Sequence, residues 1–292
     1  MPKNNVYSSQ KKKKTKSVEV KKKQTKPSVS GVETKKKDML VAANWKMNPG
    51  EIALAKKLFL GVKEGMRKIK KTEVVVCPPF VYLDTLLDLY TGKKIGFGAQ
   101  TCFSEKEGSY TGEVSAGMIQ SLGARYVILG HSERRAMGET DKDVRERVQR
   151  VLEVGLTPIV CIGEHERDND GKYLEVIKDQ LQELFYGMSR DWMKNVIIAY
   201  EPIWAIGKSS NESVTPHALH ETAIYIRKVL AGLFDKKSAI SQTILYGGSV
   251  EPNNASELID GTQVNGFLVG HASLESQDFL QIVEEVEKYA QR

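Results

Sequence analysis

Three places along the chain carry residues able to move a proton, and each directly follows a short apolar run. Asn44 and Lys46 follow 39–43, His131 follows 126–129, and Glu201 follows 196–200. A carboxylate can abstract a proton from carbon, a histidine can polarise the adjacent carbonyl, and an ammonium can stabilise the enediolate charge that develops. Together they could perform proton transfer alpha to a carbonyl, chemistry that needs neither metal nor cofactor. Taken singly, each has a plainer reading. Glu201, just before Pro202, would simply open a loop, and His131 would start a helix, while Lys46 alone carries no signal. The chemistry therefore depends on whether the three strand ends face one space.

The elements that must position them form an alternation. Strand-like β-branched runs occur at 39–43, 74–77, 95–99, 126–129, 157–162, 196–200, 243–246 and 266–269. Between and after them lie segments with helical spacing at 52–69, 81–90, 114–122, 144–154, 173–184, 216–230, 252–259 and 279–289. The pattern predicts one helix after each strand. Continuously apolar strands are expected where both sheet faces are buried, as in a parallel sheet covered by helices with right-handed crossovers. Eight such units within 38–292 match the ~250 residues of a closed (β/α)8 barrel. An open doubly wound sheet would carry a Gly-rich first turn, but the first turn here is Asn44-Trp45-Lys46-Met47-Asn48-Pro49. The predicted fold class is α/β, a (β/α)8 barrel, whose chemistry sits at the C-terminal ends of its strands.

Two small-residue turns fall where such a barrel usually binds phosphate, after strands 7 and 8: Tyr246-Gly247-Gly248-Ser249-Val250 and Val269-Gly270-His271-Ala272-Ser273. Backbone N–H groups at turns opening into helices suit an anion, although ordinary glycine turns would look the same. After strand 6, Pro202-Ile203-Trp204-Ala205-Ile206-Gly207-Lys208-Ser209-Ser210 has a rigid start, an apolar tip and a late glycine, which fits a lid that excludes water.

The remainder of the chain excludes other classes. With +6 net charge and 40% hydrophobic residues over 292 positions, it reads as a soluble globular protein. No apolar run approaches the ~20 residues of a membrane span. Cys77, Cys102 and Cys161 are odd in number and flanked by apolar residues, so they read as free thiols of a reducing, cytoplasmic compartment. Residues 1–37 hold 13 lysines against Glu19 and Glu33, a local +11 that leaves −5 for the other 255 residues. That segment reads as a disordered, solvated Lys-rich extension. Lysine clusters can attract nucleic acid or anionic membrane, but nothing else in the sequence supports such a partner. His217 and His220, with Glu221 beside them, and Glu164-His165-Glu166 imitate metal sites, yet each lacks a third ligand from another element.

Over 39–292 the sequence resembles the triosephosphate isomerase family. The resemblance rests on Ala43-Asn44-Trp45-Lys46-Met47-Asn48, Gly98-Ala99-Gln100, Tyr110-Thr111-Gly112-Glu113, Ile128-Leu129-Gly130-His131-Ser132-Glu133-Arg134-Arg135, Cys161-Ile162-Gly163-Glu164, Ala199-Tyr200-Glu201-Pro202-Ile203-Trp204-Ala205-Ile206-Gly207 and Tyr246-Gly247-Gly248-Ser249-Val250. It implies a cofactor-free isomerase of glycolysis and gluconeogenesis acting on triose phosphates. Glu201 would be the base, His131 the electrophile, Lys46 the electrostatic group and Asn44 a substrate contact. Gly207, Ser249, Gly270 and His271 would hold the phosphate. A histidine kept neutral by a helix N-terminus is described for this family, and Ser132-Glu133 can open such a helix here. The resemblance also implies a homodimer, with the segment around Thr111 reaching toward the partner's site. Three features depart from the family pattern: His271, where a second glycine is usual, the far lid hinge Lys208-Ser209-Ser210, and the lysine-rich extension. The first bears on phosphate affinity, since a side chain now sits where glycine would let the backbone approach. A protonated histidine there would add attraction. The rivals are a Schiff-base aldolase using Lys46 and a catalytically silent barrel that works as a binding protein.

Overall fold

The computed structural model describes residues 39–168, 170–207 and 214–292. The lysine-rich extension and the hinge Lys208-Ser209-Ser210 lie outside the described residues, so the expectations placed on them stand as made. Eight parallel strands close in chain order: β1 (Met39–Asn44), β2 (Thr72–Cys77), β3 (Ile95–Ala99), β4 (Tyr126–Leu129), β5 (Thr157–Ile162), β6 (Ile197–Tyr200), β7 (Ile244–Tyr246) and β8 (Gly266–Val269). β8 returns to β1 in the register Leu40↔Gly266 through Ala43↔Val269. That closure requires glycine at 266, where φ is +136° and a Cβ would lie 1.9 Å from the Leu40 carbonyl oxygen.

The apolar strands are explained by burial on both faces. Leu40, Ala42, Val75, Cys77, Ile128, Ile159, Cys161, Ala199, Leu245 and Leu268 form one buried cluster that fills the barrel. Their strand neighbours, among them Val41, Ala43, Val74, Val76 and Ile198, belong to a second cluster shared with the helices. Successive strand side chains point to opposite faces, so alternate residues fill the interior and the helical interface. Fully burying an aliphatic side chain contributes about 2 kcal/mol, and polar residues such as Thr72, Glu73 and Thr157 stand at the strand starts.

Around the barrel lie α1 (Ile52–Gly65), α2 (Phe80–Asp88), α3 (Ala116–Ser121), α4 (Ser132–Ala136), α5 (Asp141–Glu153), α6 (Lys172–Leu184), α7 (Arg190–Met193), α8 (Pro216–Leu233), α9 (Lys236–Ser241), α10 (Ala255–Ile259) and α11 (Ser276–Gln291). The expected long helices are present, but β4, β5 and β6 are each followed by two, because α4, α7 and α9 are too short to show an apolar repeat. α1 stops four residues before its expected end. From Gly65 onward the N–H groups of Arg67, Lys68 and Ile69 bond back three residues instead of four, which tightens the last turn. α5 starts three residues early on a capping box, with Thr140 accepting from the Asp143 N–H and Asp143 accepting from the Thr140 N–H.

β2 begins two residues earlier than its apolar run because a distant carboxylate fixes its start. Glu287 of α11, 4% exposed, accepts hydrogen bonds from the backbone N–H groups of Lys70, Lys71 and Thr72 and from the Thr72 hydroxyl. Burial opposes ionisation here. The hydrogen bonds from the Gln291 side chain and these backbone groups outweigh it and hold the carboxyl down at about 2. A folded-state value below the unfolded ~4.3 stabilises the fold above the unfolded value, and that stability fades as pH falls toward 2. Glu287→Gln is therefore expected to lose about 2 kcal/mol at neutral pH, with the difference from the parent narrowing below about pH 4. Thermal melts across pH check both parts, and a difference that persists unchanged at low pH would contradict the assignment.

Candidate active site

The ends of β1, β4 and β6 meet at one mouth of the barrel. Asn44, His131 and Glu201 are buried, with 5%, 7% and 2% of their surface exposed. Lys46 sits two residues beyond β1 at φ +52°, the single non-glycine in the left-handed region among the described residues. Such a backbone costs about 1–2 kcal/mol, and three hydrogen bonds bracket it. The Lys46 N–H donates to Asn44 Oδ1 at 3.1 Å, while Gln100 Nε2 donates to the Lys46 carbonyl at 2.8 Å and to the Cys77 carbonyl at 2.9 Å. The ammonium reaches Glu133 Oε1 at 2.6 Å. An ion-paired cation suits an electrostatic role, whereas a Schiff-base nucleophile attacks as the free amine.

His131 is the cap residue of α4, and its Nδ1 accepts the Glu133 N–H at 3.2 Å. An acceptor at Nδ1 leaves the proton of the neutral ring on Nε2. That nitrogen lies 3.4 Å from Glu201 Oε1. The other carboxylate oxygen of Glu201 accepts the Ser132 N–H at 3.2 Å. Both oxygens are thus held by the β4 end, and the carboxylate must give up the Ser132 contact to act on a ligand.

The backbone of Glu201 is fixed as tightly. Its N–H donates to the Ile162 carbonyl at 2.8 Å, and a Cβ on Gly163 would lie 1.8 Å from its carbonyl oxygen. Cys161 of β5 also borders the carboxylate. Burial, reinforced by the Glu201 charge, pushes its thiol well up, so it remains a neutral thiol. Cys77 is likewise raised by burial, and Cys102 is pushed up to about 12 chiefly by burial. All three cysteines are free and buried, as the sequence suggests.

A cavity of about 410 Å³ opens above these groups, and all eight residues singled out from the sequence line it: Asn44, Lys46, His131, Glu201, Gly207, Ser249, Gly270 and His271. Ser249 Oγ donates to the Ala205 carbonyl at 3.1 Å, which ties the turn after β7 to the segment after β6. In that segment Ile203–Ala205 is a turn of 3₁₀ helix. Glu164 anchors it: its carbonyl accepts the Ile203 N–H, and its Oε1 accepts from Trp204 Nε1 at 2.8 Å and from the Tyr200 hydroxyl at 2.9 Å. His271 opens a second 3₁₀ turn, His271–Leu274, and its φ is not in the left-handed region. The backbone there does not require glycine.

Gln100, Glu133 and Glu164 are the supporting residues that reasoning from single residues missed. Each stands at or just beyond a strand end, the one signal that marks them. Glu164 belongs to the triplet that imitates a metal site, but its carboxylate faces Tyr200 and Trp204. His217 pairs with Glu221 at 3.6 Å on the exposed face of α8. No cluster of three His, Cys, Asp or Glu side chains able to hold a metal occurs among the described residues.

Comparison with known proteins points the same way. The family model for triosephosphate isomerase matches residues 39–286. The triosephosphate isomerase of Thermoanaerobacter pseudethanolicus is 44% identical over 249 residues, covering 84% of this chain and 98% of the relative. That of Ruthia magnifica is 42% identical over 248 residues with the same coverage, and that of Bacteroides fragilis 43% over 252 residues, covering 84% and 97%. The chain belongs to the triosephosphate isomerase family. The aldolase and silent-barrel rivals lose their ground with that result, because the matched span contains every candidate residue.

The close approach of Gly163 to Glu201 gives the packing there a direct test. Gly163→Ala forces a Cβ into the Glu201 carbonyl and is expected to cost about 1–3 kcal/mol through overpacking. Gly117→Ala meets nothing closer than 3.8 Å and, lying within α3, is expected to gain up to about 1 kcal/mol. Equal melting temperatures for the two variants would show that the β5–β6 approach is not tight.

Proposed function

We propose that this chain interconverts dihydroxyacetone phosphate and D-glyceraldehyde 3-phosphate by proton transfer through an enediolate, without a cofactor. In this reading Glu201 leaves the Ser132 N–H and takes a proton from the carbon beside the carbonyl. The bonding electrons flow onto the carbonyl oxygen, which the His131 Nε2–H polarises. Lys46 stabilises the developing negative charge, and Asn44 contacts the substrate. Glu201 then returns its proton to the neighbouring carbon, while His131 moves a proton between the two oxygens, so the atoms balance with no net loss or gain. Gly207, Ser249 and the backbone of Gly270 and His271 hold the phosphate, and the segment after β6 excludes water that would let the enediolate expel phosphate.

The observation that carries this reading is the 3.4 Å separation between His131 Nε2 and Glu201 Oε1 in a cavity that Lys46 also lines. Glu201→Gln keeps the shape but removes the base. It is expected to lower kcat by roughly 10³-fold or more with little change in substrate binding. Near-normal turnover in a coupled isomerase assay would refute the base assignment.

We read the catalytic unit as 38–292 and residues 1–37 as a solvated extension outside it. Its removal is expected to leave kcat/KM unchanged at moderate salt; a large loss would make the extension part of the site. We further infer a homodimer. In support, Met47, Val81 and Tyr110 stand exposed beyond the ends of β1, β2 and β3, three neighbouring strands, at 92%, 79% and 45% exposure. Exposed apolar side chains beyond these three strand ends suit a partner's surface, and Thr111 adjoins Tyr110 in the chain. A particle twice the 32.6 kDa chain mass is expected in sedimentation, and a monomer at micromolar concentration would overturn this. The buried thiols favour a cytoplasmic setting, and no helix among the described residues is long and apolar enough to cross a membrane.

A further inference from the structure

The cavity carries more fixed negative than positive charge. Among its described lining residues the fixed charges are Lys46 after β1, Glu201 after β6 and Glu251 after β7, one cation against two carboxylates. Lys46 is further drawn to Glu133 of α4 at 2.6 Å. The remaining titratable groups on the cavity are His131, buried and held through Nδ1, and His271 after β8. Lys46 is therefore the one fixed cation that a dianionic ligand meets among the described lining residues, and further positive charge would strengthen its hold.

His271 is placed to supply it. Its backbone is pinned: Ser273 Oγ and N–H both bond the Gly270 carbonyl, at 2.6 and 2.9 Å, and the same hydroxyl reaches the Asn44 carbonyl at 3.4 Å. Its neighbour Gly270 abuts the cation, since a Cβ there would stand 3.5 Å from Lys46 Cε and 4.0 Å from Nζ. The imidazole itself is exposed and has no hydrogen bond or ion pair among the described residues. An unengaged ring on a fixed backbone beside a cavity can turn to a bound anion at little cost.

From this arrangement we propose that the His271 side chain is a titratable contact for the phosphate group, so that the site's affinity for a dianion strengthens in mild acid. The proposal rests on the isomerase reading and deepens it, adding a side-chain role to the backbone contact. Histidine gains its proton between about pH 8 and pH 5. An imidazolium gives a phosphate oxygen a charge-assisted hydrogen bond, and a neutral imidazole does not. Phosphate monoesters lose charge near pH ~6 themselves, which masks the effect with substrate. Sulfate stays dianionic throughout and separates the two.

The experiment measures the competitive inhibition constant of sulfate against triose phosphate at fixed ionic strength, from about pH 8.5 down to about pH 5.5. The parent protein is expected to bind sulfate about tenfold more tightly at the acid end, the scale of one charge-assisted hydrogen bond. His271→Gln is expected to flatten most of that rise. His271→Lys is expected to bind tightly across the whole range. His131 is common to all three proteins and drops out of the comparison. A flat parent profile, an equal rise in His271→Gln, or no alkaline tightening in His271→Lys overturns the proposal and leaves the isomerase reading intact. Failure of sulfate to compete at all would overturn the phosphate cradle, and with it both.

Discussion

A carboxylate just beyond β6 and an imidazole just beyond β4, strands that are neighbours only through β5, come within 3.4 Å of each other. The rest of the molecule can be read as the means of holding that contact. A closed barrel makes strand ends converge without any sequence signal linking the residues concerned, because each parallel strand must start at one rim and finish at the other. The interior is filled by aliphatic and thiol side chains and the Tyr126 ring, so the ends are fixed by packing below and hydrogen bonding above. Glu201 is immobilised at its backbone by Ile162 and Gly163 and at its carboxylate by Ser132 and His131.

Lys46 shows the cost of bringing a third group to the same place. A left-handed backbone is unfavourable for any residue with a Cβ, and residues held in such conformations cluster at functional sites. Here Asn44 bonds the amide and Gln100 bonds the carbonyl of the same residue, so the strain is locked from both sides. Asn44 therefore works at two levels, as a cavity wall and as part of the brace. Glu133 has a similar double position, with its N–H on the His131 ring and its carboxylate on the Lys46 ammonium.

Much of this was legible in the chain itself. The eight apolar runs became eight strands, four of them with the expected bounds, because burial on both faces leaves a composition that a reader can see. The eight candidate site residues share one cavity for the same reason: strand ends were the places to look. What was not legible lies in contacts between distant segments. Nothing near Thr72 announces that Glu287, 215 positions away, will start β2. The one-turn helices α4, α7 and α9 are shorter than the repeat used to find helices. Gln100 could be noticed within a motif, but its grip on Lys46 needed the register of β1, β2 and β3. The concern that His271 occupies a backbone suited to glycine dissolves once its φ is known.

The central claim is that one carboxylate, acting on one face of a bound triose phosphate, removes and returns a proton beside the carbonyl. Turnover of dihydroxyacetone phosphate in D2O, followed by NMR of the carbon-bound hydrogens, tests it directly. The account predicts that any solvent deuterium in the product lies at the carbon next to the aldehyde, and that recovered ketose carries deuterium at only one of its two equivalent positions. Label at any other carbon of the product, or spread over both positions of the recovered ketose, would contradict it.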